Sequence, residues 1–314
     1  MGLVYNRKDS SEETGKNIVF NLELAQKHVL ITGANGQLGS ELQRAAAFHP
    51  ANLFFHFTDV NELDITNPTA VDEFIKSQGI AYIVNCAAYT AVDKAEDDEE
   101  KCYLINRDAV KNLAESAAKH KAKVIHVSTD YVFDGTGTRP YREIDAVNPQ
   151  SVYGKSKCEA EVLLREICPD SIVIRTAWLY SIFGNNFVKT MIRLGQEKET
   201  LSVVSDQKGT PTNAADLADA ILKIINYTEA SGDFKAGIYH YTNEGVTTWY
   251  DFTLAIHELK GITTCKVSPV TSAEYPTRAA RPKYSVLDKT KIKEIFGIKI
   301  PDWKVSLEKV MEEL

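Results

Sequence analysis

Short apolar runs alternate with helix-like segments through the first half of the chain. Segments of helical periodicity such as Gln37–Ala47, Ala70–Ser77 and Ala109–Lys119 separate these runs. The runs themselves are Lys27–Thr32, Leu53–Phe57, Tyr82–Ala87, Lys123–Ser128 and Ser171–Arg175. Continuous apolar runs of this length are typical of strands buried on both faces of a parallel sheet. The alternation predicts βαβ units and therefore an α/β fold with a doubly wound parallel (Rossmann-type) sheet.

The pattern changes after about residue 181. Short strands at Leu201–Val204 and Gly237–Tyr241 mix with helices at Ala214–Ile225 and Trp249–Lys260, and a closing helix is predicted at Val305–Glu313. This mixture indicates a smaller C-terminal α+β lobe. We expect an N-terminal extension (residues 1–26), a dinucleotide-binding domain (27–180) and a mainly substrate-binding lobe (181–314), parts of which can return to the first domain.

Composition narrows the class of protein. The chain has 314 residues, of which 44% are hydrophobic and 25% charged, as in ordinary globular proteins. A net charge of −7 argues against a nucleic-acid surface, which requires a basic domain. The five cysteines form no C-x-x-C pair, so they predict neither a disulfide framework nor a zinc site. Without an 18-residue apolar run or a signal-peptide core, the expected location is the cytoplasm, away from membranes.

A glycine run follows the first predicted strand and precedes a helix. Its spacing is G-x-x-G-x-x-G, in Gly33-Ala34-Asn35-Gly36-Gln37-Leu38-Gly39. Glycines let the backbone turn tightly beside a pyrophosphate, and the following helix N-terminus offers free N–H groups. The run alone is compatible with a simple turn, but its position between strand and helix favours dinucleotide binding. The predicted cofactor contacts are Gly33, Asn35, Gly36, Gln37, Leu38 and Gly39.

Further cofactor contacts are expected where the next two strands end. Asp59 follows the second strand, where an acidic side chain would bind the adenosine ribose and disfavour a 2′-phosphate. This favours NADH on charge, but a turn-forming aspartate is an alternative, so NADPH and NADH both stay open. Asp64 and Ile65 fit the adenine side. After the third strand, Ala87, Ala88 and Tyr89 provide the close backbone approach that a nicotinamide dinucleotide needs.

A tyrosine and a lysine four residues apart indicate the chemistry. Tyr153 and Lys157 share one face of a predicted helix, so the lysine charge can stabilise a phenolate. A phenol of pKa about 10 acts as acid or base near neutral pH only with such help. Thr129, at the end of the fourth strand, can donate a hydrogen bond to a substrate oxygen. These three residues are the predicted catalytic group.

The chain resembles the extended short-chain dehydrogenase/reductase superfamily and, within it, the dTDP-4-dehydrorhamnose reductase family. The resemblance covers roughly residues 27–314. Besides the glycine run and the segment Tyr153–Lys157, it rests on Asn85–Thr90 with Val92 and Asp93, Ser128–Gly135, Arg175–Tyr180, Gly184–Val188, Asp206 and Gln207 with Gly209–Thr212, and Arg281 with Pro282.

The resemblance implies reduction of the C4 keto group of dTDP-4-dehydro-6-deoxy-L-mannose (dTDP-4-dehydro-L-rhamnose). Tyr153 would give the proton, a nicotinamide would deliver hydride, and Lys157 would bind the nicotinamide ribose and lower the Tyr153 pKa. The implied substrate contacts are Thr129, Asp130, Trp178, Asn186 and Arg281, the last toward the diphosphate. The family also implies Mg²⁺ near a dimer interface, with Glu41 at one acidic position. Monomer and homodimer both stay open.

Related functions differ at specific positions. Dehydratases of this superfamily place a glutamate directly after Ser-Thr-Asp, where this chain has Tyr131. Epimerases usually begin with a G-G-x-G-F-x-G-like loop, which this glycine run does not match. A non-catalytic NADP-binding regulatory subunit would typically lack the intact Tyr153 and Lys157 pair. A reductase is therefore favoured, with a reductase or epimerase of another nucleotide sugar, or such a subunit, as alternatives.

Overall fold

The computed structural model describes residues 26–48 and 52–314, so the predicted N-terminal extension lies outside the described residues except for Gln26. The strands are β1 (Lys27–Thr32), β2 (Leu53–Thr58), β3 (Ile80–Asn85), β4 (Lys123–Thr129), β5 (Ser171–Thr176), β6 (Leu179–Tyr180), β7 (Thr200–Val204), β8 (Lys208–Gly209), β9 (Thr212–Asn213), β10 (Gly237–His240), β11 (Thr247–Thr248) and β12 (Lys266–Val270).

Helices connect these strands. They are α1 (Gln37–Ala46), α2 (Pro68–Gln78), α3 (Val92–Ala95), α4 (Glu99–Tyr103), α5 (Ala109–His120), α6 (Val152–Ile167), α7 (Phe187–Glu197), α8 (Ala214–Ser231), α9 (Trp249–Leu259), α10 (Thr290–Phe296) and α11 (Trp303–Glu313). A π-helical turn, Leu104–Asp108, joins α4 to α5. The closing helix α11 begins two residues before the predicted start, because the Asp302 side chain accepts a hydrogen bond from the Lys304 N–H and caps it.

A six-stranded parallel sheet in the order β2-β1-β3-β4-β5-β10 forms the centre of the fold. The predicted parallel α/β architecture is confirmed. The chain runs from β1 out to β2 and then crosses to the other side of β1 for β3. This reversal creates a crevice between the carboxyl ends of β1 and β3, which is where open α/β sheets bind ligands.

Helices cover both faces of the sheet. Val29 and Ile31 of β1 pack in one apolar cluster with α1 and α8, while Leu30 packs in the other with α2, α5 and α6. All three side chains are fully buried. Alternate residues of one strand thus enter opposite cores, which explains why the sequence shows continuous apolar runs instead of alternation.

A smaller α+β lobe packs around its own apolar cluster. Helices α7, α9 and α11 contribute to that cluster, together with residues of β7. Three two-stranded sheets, β7 with β12, β6 with β9, and β8 with β11, complete the lobe. Within residues 26–48 and 52–314, no helix combines the length and apolar character needed to cross a membrane.

One predicted lobe strand lies elsewhere. Strand β10, predicted at Gly237–Tyr241 in the lobe, instead pairs with β5 at the edge of the central sheet, in register with Ile172–Arg175. Its residues Tyr239 and His240 are 1% and 0% exposed. Because a strand's partner is set by long-range burial, a short apolar run does not reveal which sheet it joins.

Candidate active site

The glycine run forms a backbone cradle at the crevice. Gly33 has a φ of 65°, and a methyl group built on it would lie 2.7 Å from Ala87 Cα. A methyl group on Gly39 would lie 2.4 Å from the Gly33 carbonyl oxygen. The N-cap of α1 is Gly36, which provides no side-chain cap for the first N–H groups. Such a cradle fits a dinucleotide pyrophosphate, because close backbone approach and free helix N–H groups favour an anion.

Asp59 ties the end of β2 to the glycine run. Its carboxylate accepts a hydrogen bond from the Asn35 N–H at 3.1 Å and is partly exposed. Further along this loop, Asp64 is exposed and Ile65 is buried. The Asn112 side chain of α5 donates to the Ile65 carbonyl at 3.1 Å and fixes the loop against the sheet.

The segment after β3 is held from behind by a buried asparagine. Asn106, in the π-helical turn, accepts a hydrogen bond from the Tyr89 N–H at 2.8 Å. It also donates to the Ser156 hydroxyl on α6 at 3.1 Å. Ala87 and Ala88 precede Tyr89 and are partly buried. Asn106 thus connects the predicted nicotinamide side of the crevice to the helix that carries Tyr153 and Lys157.

Tyr153 lies in the first turn of α6, beside the end of β4. Ser151 caps the helix by accepting a hydrogen bond from the Gly154 N–H at 3.1 Å. The Tyr153 phenol lies beside the Thr129 hydroxyl, and the Tyr153 ring meets the Tyr131 ring edge-on with a centroid separation of 5.6 Å. A methyl group on Gly154 would lie 2.4 Å from the Tyr131 carbonyl oxygen, so only glycine allows this approach.

The structure brings Thr129 and Tyr153 together and places Lys157 one helical turn further along. Burial raises the pKa of Tyr153 well above its ordinary value, opposite in direction to the lowering expected from Lys157. The phenol is therefore protonated at neutral pH. Burial also lowers the pKa of Lys157 to about 8. The lysine Nζ donates to the Val127 carbonyl at 2.7 Å and contacts His126 Nε2 at 3.1 Å.

Asp130 follows Thr129 and is 2% exposed. The Thr129 hydroxyl donates to Asp130 Oδ1 at 3.1 Å. Burial raises the pKa of Asp130 to about 6, although the hydrogen bond from Thr129 opposes the rise. A carboxyl group that titrates near neutral pH lies directly beside the tyrosine and threonine pair.

Trp178 follows β5 in a strained conformation. Its φ is 49°, a region that L-residues other than glycine rarely adopt and that clusters at functional sites. Its ring stacks on Trp249 with a centroid separation of 3.6 Å, and its carbonyl accepts a hydrogen bond from the Thr212 N–H at 3.1 Å. A methyl group on Gly209 would lie 2.7 Å from the indole, so glycine makes room for it.

Asn186 links the lobe to the glycine run. Its side chain caps α7 by accepting a hydrogen bond from the Lys189 N–H at 3.1 Å. The same amide donates to Gln37 Oε1 at 3.1 Å and to the Ser181 carbonyl at 2.7 Å. The observed contacts of Asn186 are therefore within the protein, and its contact with a sugar stays a prediction.

Arg281 reaches the site from the C-terminal part of the chain. Its guanidinium donates to the Tyr131 hydroxyl at 3.1 Å and to Asp93 Oδ2 at 2.5 Å. Asp93 lies on α3, and its other carboxylate oxygen accepts a hydrogen bond from the Ala279 N–H at 3.1 Å. One carboxylate thus fixes both the position of Arg281 and the loop before it.

Glu41, the residue implied for Mg²⁺, is 3% exposed within α1. It accepts a hydrogen bond from the Ser181 hydroxyl at 2.6 Å, and burial raises its pKa. Among residues 26–48 and 52–314, no group of three or more His, Cys, Asp or Glu side chains is arranged to hold a metal ion. The described residues do not support the implied Mg²⁺ site.

Several site residues were not selected from the sequence. Asp93 stands within a motif that carries the resemblance and could have been found from it. Asn106 and His126 are polar residues inside helical and strand patterns, where the sequence gives no sign of their partners. Trp249 opens a lobe helix, and only the fold brings it onto Trp178.

Comparisons with known proteins give one family. The sequence profile described as the RmlD substrate binding domain matches residues 27–314. A protein of Aggregatibacter actinomycetemcomitans named dTDP-4-dehydrorhamnose reductase is 43% identical over 289 residues, covering 90% of this chain and 97% of that protein. The crystal structure of a dTDP-4-dehydrorhamnose reductase from Clostridium acetobutylicum matches with a TM-score of 0.85 and 45% identity, covering 91% of this chain and 99% of that one.

A dTDP-4-dehydrorhamnose reductase from Bacillus anthracis, crystallised in complex with NADP, matches with a TM-score of 0.86. It is 38% identical and covers 92% of this chain and 100% of that one. These similarities extend over both the central sheet and the lobe. The chain belongs to the dTDP-4-dehydrorhamnose reductase family.

Proposed function

We propose that this chain is an NAD(P)H-dependent reductase that converts the C4 keto group of dTDP-4-dehydro-L-rhamnose to the hydroxyl of dTDP-L-rhamnose. One observation carries the reaction type. The Tyr153 phenol lies beside the Thr129 hydroxyl at the same sheet edge as the glycine cradle. The substrate is proposed from the names of relatives that are similar over nearly their whole length.

The residues of the cradle suit a nicotinamide dinucleotide. Gly33, Gly36 and Gly39 would admit the pyrophosphate to the free N–H groups of α1, with Asn35, Gln37 and Leu38 beside it. Asp59 would bind the adenosine ribose, Asp64 and Ile65 the adenine side, and Ala87, Ala88 and Tyr89 the nicotinamide side. When bound, the reduced nicotinamide supplies the hydride.

The proton comes from Tyr153 in this proposal. Because burial raises its pKa, the phenol holds its proton at neutral pH and can give it to the C4 oxygen. Thr129 would orient that oxygen through its hydroxyl. Lys157, whose pKa burial lowers to about 8, would bind the nicotinamide ribose and exchange protons near neutral pH.

The sugar nucleotide would occupy the space between the sheet edge and the lobe. The stacked rings of Trp178 and Trp249 offer an apolar surface, which is a usual way to hold one face of a hexose. Asp130 and Asn186 would contact sugar hydroxyls. Arg281 would face the diphosphate while its guanidinium also forms an ion pair with Asp93.

The proposal is tested by nicotinamide absorbance. Purified protein is mixed with enzymatically made dTDP-4-dehydro-L-rhamnose and either NADPH or NADH, and the product is identified by mass spectrometry and NMR. The relative from Bacillus anthracis holds NADP, whereas Asp59 favours NADH on charge, so both cofactors are tested. Oxidation of neither, with tight cofactor binding, would instead favour another nucleotide sugar or a non-catalytic cofactor-binding role.

Tyr153→Phe is the decisive variant. Loss of the proton donor should lower kcat by about 10²–10⁴-fold while the dissociation constant for the reduced cofactor changes little. Tyr275→Phe is the matched control, because that side chain is 55% exposed and lies outside the proposed site. Retained turnover in Tyr153→Phe would remove Tyr153 from the role of proton donor.

A further inference from the structure

A chain of buried polar side chains runs beneath the candidate site, from β1 to α6. Its members are Thr32, Asn85, His126 and Lys157, each no more than 1% exposed. The Thr32 hydroxyl donates to Asn85 Oδ1 at 2.7 Å. Asn85 Nδ2 lies 3.0 Å from His126 Nδ1, and His126 Nε2 lies 3.1 Å from Lys157 Nζ. The proposed proton donation by Tyr153 does not itself require Asn85 or His126.

The directions of the hydrogen bonds in this series of side chains are fixed at Asn85. The Ala87 N–H donates to Asn85 Oδ1 at 3.2 Å, and a backbone N–H can only donate. The amide oxygen of Asn85 must therefore face Ala87 and Thr32, which turns its NH₂ group toward His126. His126 Nδ1 consequently acts as the acceptor, so a neutral His126 carries its proton on Nε2.

At the other end of this series of hydrogen-bonded side chains, His126 contacts Lys157. A proton on His126 Nε2 points at Lys157 Nζ, while a lysine N–H donates to the Val127 carbonyl at 2.7 Å. A neutral amine has a lone pair that can accept from His126, but an ammonium group has none. If Lys157 is protonated while the hydrogen bonds keep these directions, two donors, His126 Nε2–H and the ammonium group, face each other. If the hydrogen bonds reverse their directions instead, the Ala87 N–H loses its acceptor.

We propose that His126 is a positioning residue that disfavours the ammonium form of Lys157 by directing its Nε2–H at Lys157 Nζ. The consequence for catalysis rests on the proposed role of Lys157 in the reductase. The hydrogen-bond pattern itself does not depend on that role. His126 would thus set the protonation state of the lysine that is proposed to bind the nicotinamide ribose.

Other groups facing Lys157 act in the opposite direction. Glu161 on α6 favours the charged lysine, and Cys86 after β3 and Cys102 on α4 would do so only as thiolates; burial opposes the charge and lowers the pKa of Lys157 to about 8. Burial raises the pKa of Cys86 to about 12, so that thiol stays neutral at neutral pH. Burial and the lysine charge lower the pKa of His126 well below its ordinary value, which keeps the ring neutral.

The first test uses the unaltered protein. In a sample with ¹⁵N-labelled histidine, long-range ¹H–¹⁵N spectra at pH 9 should show His126 as the Nε2–H tautomer. In a sample with ¹³C-labelled lysine, the Cε shift of Lys157, assigned with Lys157→Arg, should titrate with a midpoint near 8. An Nδ1–H tautomer at pH 9, or a midpoint near the ordinary lysine value of about 10.4, would overturn the proposal.

The second test removes the donor. His126→Gln should raise the Lys157 midpoint by about one pKa unit, because one neutral hydrogen bond is worth about 1 kcal/mol. His120→Gln, which removes a histidine paired with Asp72 on the surface, should leave that midpoint unchanged. The basic limb of kcat/KM should move with the midpoint in His126→Gln. An unchanged midpoint would show that burial alone sets the lysine and would refute the role of His126.

The two proposals fail in different ways. If the chain is not the proposed reductase, the sugar nucleotide gives no cofactor oxidation, yet the His126 tautomer and the Lys157 midpoint are still as described. If the inference about His126 is wrong, an active reductase shows an Nδ1–H tautomer, an ordinary lysine midpoint, or a midpoint that His126→Gln leaves unchanged. Should His126→Gln not fold, the spectra of the unaltered protein still decide.

Discussion

Replacing Gly33 by alanine would impose two energetic costs, backbone strain and a steric clash. Comparison with a second glycine separates them. Gly33 has a φ of 65°, and the added methyl group would lie 2.7 Å from Ala87 Cα. Gly79, at the end of α2, has a φ of 60°, but a methyl group there meets nothing within 4 Å. The two positions therefore share backbone strain and differ in the clash.

The magnitudes follow from this comparison. An L-residue in the left-handed region costs about 1–2 kcal/mol, and overpacking a filled site costs a further 1–3 kcal/mol. We expect Gly79→Ala to lower the free energy of unfolding by about 1 kcal/mol and Gly33→Ala to lower it by roughly 2–5 kcal/mol. Urea unfolding followed by circular dichroism measures both values.

The clash also has a functional consequence. Because the strained contact is with backbone, relief requires the segment at Ala87 or the glycine run to move, and both are proposed to hold the cofactor. Titration of NADPH fluorescence should give at least a tenfold weaker dissociation constant in Gly33→Ala and an unchanged one in Gly79→Ala. If the two variants were equal in stability and in cofactor affinity, the close approach at Ala87 would not have the importance assigned to it.

Two further predictions concern acidic residues. Asp59→Asn keeps an acceptor for the Asn35 N–H but removes a charge, so the ratio of kcat/KM for NADPH to that for NADH should rise about tenfold; an unchanged ratio would place the ribose elsewhere. For Asp130 the folded-state pKa is raised from 3.8 to about 6, so its contribution to stability is present below pH 4 and is lost as the pH rises through 6. As the pH rises from 4 to 7.5, the unfolding free energy of Asp130→Asn should therefore increase by up to about 3 kcal/mol relative to that of the unaltered protein. Thermal unfolding of both proteins measures this difference, and a difference that does not change with pH would contradict the prediction.

The sheet could be predicted because its causes are local. Val29, Leu30 and Ile31 are consecutive apolar residues, and each enters one of the two cores that helices provide. The glycines were interpretable for the same reason, since tight backbone contacts at Gly33 and Gly39 involve residues of the same βα turn or of the next strand in space. Features whose contacts lie within one supersecondary unit can therefore be predicted from the sequence.

Parts of the site that depend on residues far apart along the sequence could not be predicted in this way. Strand β10 joins the sheet beside β5 because both of its faces are buried there, which its four residues alone do not indicate. Arg281 was identified by its charge, but its partner Asp93 lies 188 positions away along the chain. Trp178 was identified, whereas its stacking partner Trp249 was not, because the contact exists only when α9 packs within the lobe, against α7 and β7. The sequence identified the proposed reacting groups, and the tertiary structure identified their neighbours.

Net charge and local charge act differently in this protein. A chain with a net charge of −7 is proposed to bind two anionic ligands, a dinucleotide and a sugar diphosphate. The first turn of α1 contains no acidic residue, and Glu41 in its second turn is buried with a raised pKa. The positive end of that helix is therefore not cancelled where the pyrophosphate would lie. The Asp59 carboxylate contacts the cradle at the Asn35 N–H, and there it would oppose only an added 2′-phosphate. The acidic surface thus disfavours long polyanions, while uncharged backbone and one arginine leave room for small ones.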